Sequence, residues 1–532
     1  MPRPRKLAFL GIVALPLAVG AFVVQEQATT SSARLFDQVF AIVGDRFVDS
    51  IPAGDLYEKA ARGLVTELND PYSELYTPKQ LEAFNTNTGG FYGGVGMLIE
   101  DHEGSIMISK VYPNTPAEEA GIREGDRIVG VDTASTRGWK LEQVSTALKG
   151  RPGTQVNASF QRPGVPKPFE VEFTRRTIRI PAIPFALMLE NKTAYIPVQQ
   201  FNETTTREFE RELRRLEAEG ATGVVLDLRR NTGGFLEQAL DMTNFFVQRG
   251  KEIASVRTRV GPPERYIAEA DPIAPRIPLV ILTDGYTASA SEIVAGALQD
   301  HDRAIVVGTT SFGKGLVQSV YRLDGGYAIK LTTGKWYTPS GRSIQKERKL
   351  DASGELVEVT PDSLETEASV KGRPEFRSAG GRVVYGGGAI TPDVIVPYDT
   401  LTTAEQKLAR ALVPSSQDVY LVLDDYAFTL KGDVKPDFKV TEAMRDEFLD
   451  RLVAKGVAVD TAEWEAGESY VDRLLGDRIA RRAFGDSTAK RRDVPDDAQL
   501  QKALELLRRG RTTAELLALA ANSQSPAASR PD

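Results

Sequence analysis

Cysteine is absent from the 532 residues, and histidine occurs only twice. The first absence removes disulfides, thiolate metal sites and a cysteine nucleophile together. It fits an oxidising compartment without requiring one. With so few histidines and no H-E-x-x-H, a zincin is excluded, and no G-x-S-x-G elbow occurs either. His102 lies in the turn-like Glu100-Asp101-His102-Glu103-Gly104, a setting for a solvated loop residue. His301 follows a helix that begins near Ser289, and a helix length of about 18 Å makes it a poor partner for that serine. A histidine-based triad is not expected. An excess of basic charge is missing too. Against 73 acidic residues stand 66 basic ones, a net charge of −7, which gives no electrostatic reason to expect nucleic acid.

Long apolar runs are scarce, with one exception. Leu7 to Val24 is uncharged and mostly apolar, preceded by Arg3, Arg5 and Lys6 and ended by Gln25. As a helix it spans about 27 Å, near the thickness of a bilayer core. Ala18-Val19-Gly20 is a poor small-x-small cleavage site, so residues 1–30 read as a signal anchor in preference to a cleaved signal peptide. The flanking cations put the N-terminus in the cytoplasm and the body outside. The body is thus expected in the cell envelope, periplasmic, anchored in the inner membrane or secreted after cleavage.

What is present is a folded chain of ordinary composition, 41% hydrophobic and 26% charged, long enough for about two to four domains. Residues 31–88 read as helical, with Leu35, Val39, Ile42 and Val43, then Leu56, Ala60, Leu64 and Leu68, at helical spacing. From Gly89 to about Thr177 the texture is short strands and glycine turns, with strands at Ser105–Val111 and Arg127–Val131 and a helix at 141–149. From Thr193 strands alternate with helices. Strands are expected at 194–198, 223–228, 278–282 and 304–307, with helices at 206–219, 235–247 and 288–299. This pattern implies a mainly parallel sheet covered on both faces. Lys346 to Arg382 reads as an extended, partly ordered insertion. Beyond Asp399 helices are expected at 442–454, 462–484, 497–509 and 513–521, followed by a disordered tail.

Three stretches can carry chemistry. Thr283-Asp284-Gly285-Tyr286-Thr287-Ala288-Ser289-Ala290-Ser291-Glu292-Ile293 follows an apolar strand and opens a helix. Ligand sites in open α/β sheets form at such strand ends, and a helix N-terminus stabilises a developing oxyanion. The bland alternative, that Thr287, Ser289 or Ser291 only caps the helix, stands level on this segment alone. After the next apolar strand comes Ser311-Phe312-Gly313-Lys314-Gly315. Buried beside the serine, Lys314 would be held neutral by desolvation and would take the hydroxyl proton. The alternative is a solvent-exposed turn lysine. Gln318, four residues on, either orients the amine or is a routine strand residue. In Asp227-Leu228-Arg229-Arg230-Asn231-Thr232-Gly233-Gly234, paired glycines between strand and helix suit backbone amides facing a ligand, or simply a tight turn.

Together these residues resemble the carboxy-terminal processing peptidases, or tail-specific proteases. Ala288-Ser289-Ala290-Ser291-Glu292-Ile293 is similar to the family's nucleophile signature, and Phe312-Gly313-Lys314-Gly315-x-x-Gln318 to its base signature, 25 positions separating Ser289 from Lys314. Asn231-Thr232-Gly233-Gly234 resembles its Asn-Pro-Gly-Gly with threonine for proline. The resemblance implies Ser289 as nucleophile, Lys314 as general base, Gln318 as the residue orienting the lysine, and amides near Gly233, Gly234 and Ala290 as the oxyanion hole. Asp70-Pro71-Tyr72-Ser73, Gly334 to Arg342, and Gly388-Ala389-Ile390-Thr391-Pro392-Asp393 look like further landmarks. Gly89 to about Arg175 resembles a PDZ domain. Gly93-Gly94-Val95-Gly96-Met97 is similar to its carboxylate-binding loop, and Thr115-Pro116-Ala117-x-x-Ala120-Gly121-x-x-x-Gly125-Asp126 to its central signature. Loop amides at Gly94, Val95, Gly96 and Met97 would receive a C-terminal carboxylate while the peptide adds as a strand. Val144 and Leu148 either line the side-chain pocket or belong to the core.

The expected fold is therefore multidomain α/β. It has a mixed, mainly parallel sheet with flanking helices (a crotonase/ClpP-like protease core), a small β-rich PDZ domain and a helical C-terminal region. The divisions are 1–30, 31–88, 89–176 for the PDZ domain, 177–399 for the core and 400–532 for the helical extension. The function implied is a serine endopeptidase with a Ser-Lys(-Gln) centre, needing no metal or cofactor. It would cleave unfolded or tail-tagged envelope proteins held through the PDZ domain. Partners expected are substrates with free C-terminal tails and, through the N-terminal segment, the membrane. A homo-oligomer stays open. The rivals are a catalytically silent PDZ-bearing scaffold and an amidase or esterase.

Overall fold

Gly223–Asp227 and Leu279–Thr283 are apolar strands buried at every position, and such strands need cover on both faces. In the computed structural model they lie inside a six-stranded sheet. Its order is Leu187–Leu189, Thr193–Pro197, Gly223–Asp227, Leu279–Thr283, Ile305–Gly308 and Val394–Ile395. The first pair is antiparallel and all the others are parallel. The structure describes residues 33–102, 105–162, 164–346, 348–350, 356–358, 373–397 and 401–523. The apolar run Leu7–Val24 and residues 524–532 lie outside these, as does much of the polar stretch after Lys346. Among the described residues no helix is long and apolar enough to cross a membrane.

The period-two alternation of the strands assigns each face its cover. Val224, Leu226, Ile281 and Val306 point to one side, where they pack with Phe209, Leu213 and Leu216 of helix Thr205–Ala218, with Met242 of helix Leu236–Asn244, and with Ile293 and Leu298 of helix Ala290–Asp300. Val225, Val280, Leu282, Ile305 and Val307 point to the other. There the cover comes from Leu500, Ala503, Leu506 and Leu507 of helix Ala498–Arg509 and Leu516 of helix Thr513–Ser523. The C-terminal extension thus supplies the second helical layer of the sheet.

The chain divides into two compact units. The smaller joins the described residues up to Pro78 with Gln318–Thr332. Asp70, accepting from the N–H of Tyr72 (3.3 Å), forms the turn that ends its helical stretch. A short strand the sequence reading did not foresee, Glu74–Tyr76, then pairs with Ala328–Lys330. Leu35, Val39, Ile42, Leu64 and Leu68, singled out for their helical spacing, are exposed. Their helical spacing is real, but no described element covers them.

Everything else belongs to the larger unit. Its N-terminal portion is an antiparallel sheet ordered Met97–His102, Ser105–Val111, Arg127–Val131, Gln155–Gln161, Phe169–Thr174, with the helix Leu141–Leu148. Met97–His102 is last in that order, so its outer edge carries no strand. The middle of the C-terminal extension packs around Leu408, Phe448, Trp464, Val471 and Leu475. The helix expected over 462–484 is broken into Thr461–Ala466 and Glu468–Phe484. A side chain at Gly467, between them, would come within 2.5 Å of Leu408. Two helices, Thr403–Leu412 and Ser416–Leu430, were not foreseen. This bundle holds the small antiparallel sheet through Arg482. Its guanidinium grips Asp424 (2.8 and 2.6 Å) and donates to the Ser109 carbonyl, while Lys110 pairs with Asp486 at 2.8 Å.

Candidate active site

Three loops leave the sheet at the C-terminal ends of neighbouring strands: 228–234, 284–289 and 309–315. They are stitched together by buried polar groups. The Asp284 carboxylate accepts from the backbone N–H of Arg230 (3.0 Å), Tyr286 (2.9 Å) and Thr287 (2.9 Å). The Asn231 carbonyl accepts from the Ala288 N–H (2.9 Å) and the Ser291 hydroxyl (3.0 Å), and Phe312 N–H donates to the Thr287 carbonyl (2.8 Å). Apart from Thr287 and Ser291, weighed as helix caps, these residues had no role in the sequence reading beyond membership of a motif.

Ser289 stands where the middle loop turns into helix Ala290–Asp300. Its backbone is at φ 57°, ψ −117°, in a region L-residues rarely adopt. Such strain, of order 1–3 kcal/mol, persists only where the surroundings enforce it, and it collects at functional sites. The enforcing group is Glu292. This side chain is fully buried, and each of its oxygens takes two donors. The Ser311 hydroxyl and Gly313 N–H (2.7 Å) reach Oε1, and the N–H groups of Ser289 and Lys314, each at 2.8 Å, reach Oε2. Burial pushes its carboxyl above the usual range, opposed by those hydrogen bonds. Every contact is a donor to it, so the pocket is built for the ionised form. Because Ser289 and Lys314 share one carboxylate oxygen, their backbone nitrogens are separated by no more than two hydrogen bonds laid end to end. The sequence did carry a signal for this glutamate: Ser289-Ala290-Ser291-Glu292 has the S-x-x-E form of a capping box.

Lys314 is half-buried. Its loop is fixed by Trp336, whose indole N–H donates to the Lys314 carbonyl (3.0 Å), and by Gln345, which accepts from Gly315 N–H (2.8 Å). Gln318 belongs to the smaller unit, where its amide donates to Thr332 Oγ1 at 3.3 Å. His301 caps the far end of the helix after Ser289, with Nε2 at 2.6 Å from the Glu252 carbonyl. Among the described residues no cluster of His, Asp and Glu is placed to hold a metal ion.

The glycines lie against Ser289, with one adjustment. Gly233 gives its N–H to Asn231 Oδ1 (2.9 Å), so that amide is already spent, unlike the expectation that it faces an oxyanion. Its importance is space. A methyl group on Gly233 would sit 2.8 Å from Ser289 Cβ and 3.0 Å from the Ala290 nitrogen, at a φ of +98°. Ala290 is the first helical residue, and its N–H has no acceptor within the helix. Gly234 remains as the other glycine donor: the Gly233 carbonyl faces Phe201 N–H (2.9 Å), so the trans peptide directs the Gly234 N–H the opposite way. On the expectation that the Ala290 N–H receives an oxyanion, Gly233→Ala should lower peptide cleavage by about 100-fold, because the methyl blocks that amide. Steady-state cleavage of a fluorogenic peptide measures it.

In the small antiparallel sheet Gly94, Val95, Gly96 and Met97 are all buried. The Val95 carbonyl accepts from Ala117 N–H (2.8 Å) and the Gly96 carbonyl from Tyr112 N–H (3.0 Å). The trans peptide planes therefore turn the Gly96 N–H away from Ala117, and the Met97 N–H toward the unpaired strand edge. Val144 and Leu148 are 0% and 5% exposed and pack with Val95 and Met97, which places them in the core.

The model of peptidase family S41 matches residues 192–363, and that of a PDZ domain residues 107–162. The chain is 32% identical over 362 residues to the carboxy-terminal processing protease CtpA of Bacillus subtilis, covering 65% of this chain and 76% of that one. It is 31% identical over 390 residues to the carboxy-terminal-processing protease of Bartonella bacilliformis, covering 71% and 89%. Among solved structures it is similar to a photosystem II D1 C-terminal processing protease, at 29% identity and a TM-score of 0.35, over 62% of this chain and 86% of that one.

Proposed function

The chain belongs to peptidase family S41, with the carboxy-terminal processing proteases, and from that premise we propose that this serine-type peptidase cuts unfolded or tail-tagged envelope proteins with Ser289 as nucleophile and Lys314 as base. The observation that carries the pairing is the shared Glu292 oxygen, which holds the two backbones side by side. The neutral Lys314 amine takes the Ser289 proton as Oγ bonds to the substrate carbonyl carbon. The oxygen gains the π electrons and is received by the N–H groups of Ala290 and Gly234. Collapse breaks the C–N bond, the lysine ammonium protonates the departing amine, and water activated by the same lysine releases the acyl group. Gln318 is assigned to orient the amine on the motif alone.

Tail recognition is assigned to the module at 89–176. Its unpaired edge at Met97–His102 offers main-chain pairing to an incoming strand, and the Gly96 and Met97 amides suit a terminal carboxylate. Val144 and Leu148 shape the floor from beneath. The periplasmic placement rests on the N-terminal apolar run.

Casein digestion by the purified protein, with Ser289→Ala in parallel, tests the reading. Cleavage by the native chain and none by the variant supports it; equal cleavage by both removes Ser289 from the mechanism.

A further inference from the structure

The loop that carries Gly233 and Gly234 is anchored by an ion cluster whose second half comes from the C-terminal extension, beyond the S41 match at 192–363. Arg229 uses its entire guanidinium fork. Nε and Nη2 donate to the two oxygens of Asp227 (2.9 and 2.6 Å), and Nη1 and Nη2 to the two oxygens of Asp497 (2.9 and 2.8 Å). Gln499 Oε1 accepts from Nη1 as well, at 3.1 Å. Asp497 is held in turn by Lys490 (2.6 Å), and Asp227 by the Tyr195 hydroxyl (2.7 Å). The side chains are 13%, 7% and 10% exposed for Arg229, Asp227 and Asp497, so solvent screens this cluster little. Burial raises the Asp497 carboxyl, but hydrogen bonds and charge from Arg229 and Lys490 outweigh it and hold it well below the usual carboxylate range.

The cluster sits one residue from the site. Arg230 N–H goes to Asp284, the Asn231 carbonyl binds Ala288 and Ser291, and Gly233 lies against Ser289. A side chain that grips Arg229 therefore sets where this loop meets the serine turn. We propose that Asp497 is a positioning residue for peptide cleavage, clamping Arg229 so that the 229–234 loop keeps the space beside Ser289 and Ala290 open. Asp497 also caps helix Ala498–Arg509, accepting from Leu500 N–H at 3.0 Å, so capping and clamping have to be separated. This assignment rests on the reading of Ser289 as nucleophile.

The test uses the full chain with Asp497→Asn and Asp497→Ser. Both residues are good helix caps. Asparagine keeps one oxygen for Arg229, and serine is too short to reach it. The expected result is a kcat lower by about tenfold for Asn and by up to about 100-fold for Ser, with KM within about twofold, as for misplacement remote from the chemistry. Ser289→Ala is run alongside. If Asp497→Ser is folded and its kcat stays within about twofold of native while Ser289→Ala is inactive, the positioning role is overturned and the nucleophile stands. If Ser289→Ala retains cleavage, the nucleophile reading falls and this assignment with it. A fall in melting midpoint at unchanged kcat assigns Asp497 to the helix alone and also overturns the proposal. Should Asp497→Ser not fold, Asp497→Asn decides alone: it keeps the helix cap and weakens the grip on Arg229, and a kcat within about twofold of native overturns the proposal.

Discussion

Lys314→Ala is expected to lower casein cleavage by about three orders of magnitude, within the range for removal of a general base. Among the described residues, neither His301 nor Glu292 can take its place. Of the two histidines, His301 sits at the far end of the following helix against Glu252. Glu292 is saturated by four donors and has no lone pair to offer the serine hydroxyl. Lys314→Arg sharpens the test, because arginine keeps the charge and cannot be deprotonated in a protein. Both variants are expected to bind a peptide tail as the native protein does, since the PDZ-like module is separate from this loop. Turnover measured with fluorescently labelled casein, and tail binding measured by fluorescence anisotropy, check the two halves. An active Lys314→Arg protein would remove the base assignment.

Glu292→Gln is expected to cost about 4 kcal/mol of stability and at least 100-fold in turnover. An amide of the same shape presents one oxygen and one NH2 group to a pocket of four donors. Whichever way it turns, two donors face an NH2 group and lose their acceptor, at about 1–3 kcal/mol for each buried group left unsatisfied. If the oxygen lost is Oε2, Ser289 and Lys314 are released together; if it is Oε1, Ser311 and Gly313 are. In the first case the strained Ser289 backbone loses the group that enforces it. Urea denaturation followed by tryptophan fluorescence measures the first effect and casein turnover the second. A Gln variant as stable and as active as the native chain would show that the carboxylate does not organise the site.

How much of this the sequence disclosed follows from the range of each interaction. Strands such as Ser105–Val111 and Arg127–Val131, and helix Glu442–Ala454, emerge at the limits that periodicity and turn residues set, because those signals are local. Ser289 and Lys314 were singled out because each follows the C-terminal end of an apolar strand, and the two strands are neighbours in the sheet. The spent amide of Gly233 was not legible, since only a fold shows that Asn231 turns its side chain back onto its own loop. Val144 and Leu148 read equally as pocket or core, because helical spacing gives the face and not what fills the space beyond it. The break at Gly467 depends on Leu408, and the cover for the second sheet face depends on leucines far along the chain from the strands they bury, Leu500 from Val225 for instance.

Arg229 and Asp497 are 268 positions apart. On a ribosome adding about 5–20 residues each second, the arginine is made on the order of ten seconds to a minute before the carboxylate that completes its clamp. Before that interval ends the strands, the serine turn and the lysine loop have all been made, yet the 229–234 loop still lacks its partner. Drawing that contact from residue 497 means that the loop beside Ser289 is secured only after the extension has been synthesised.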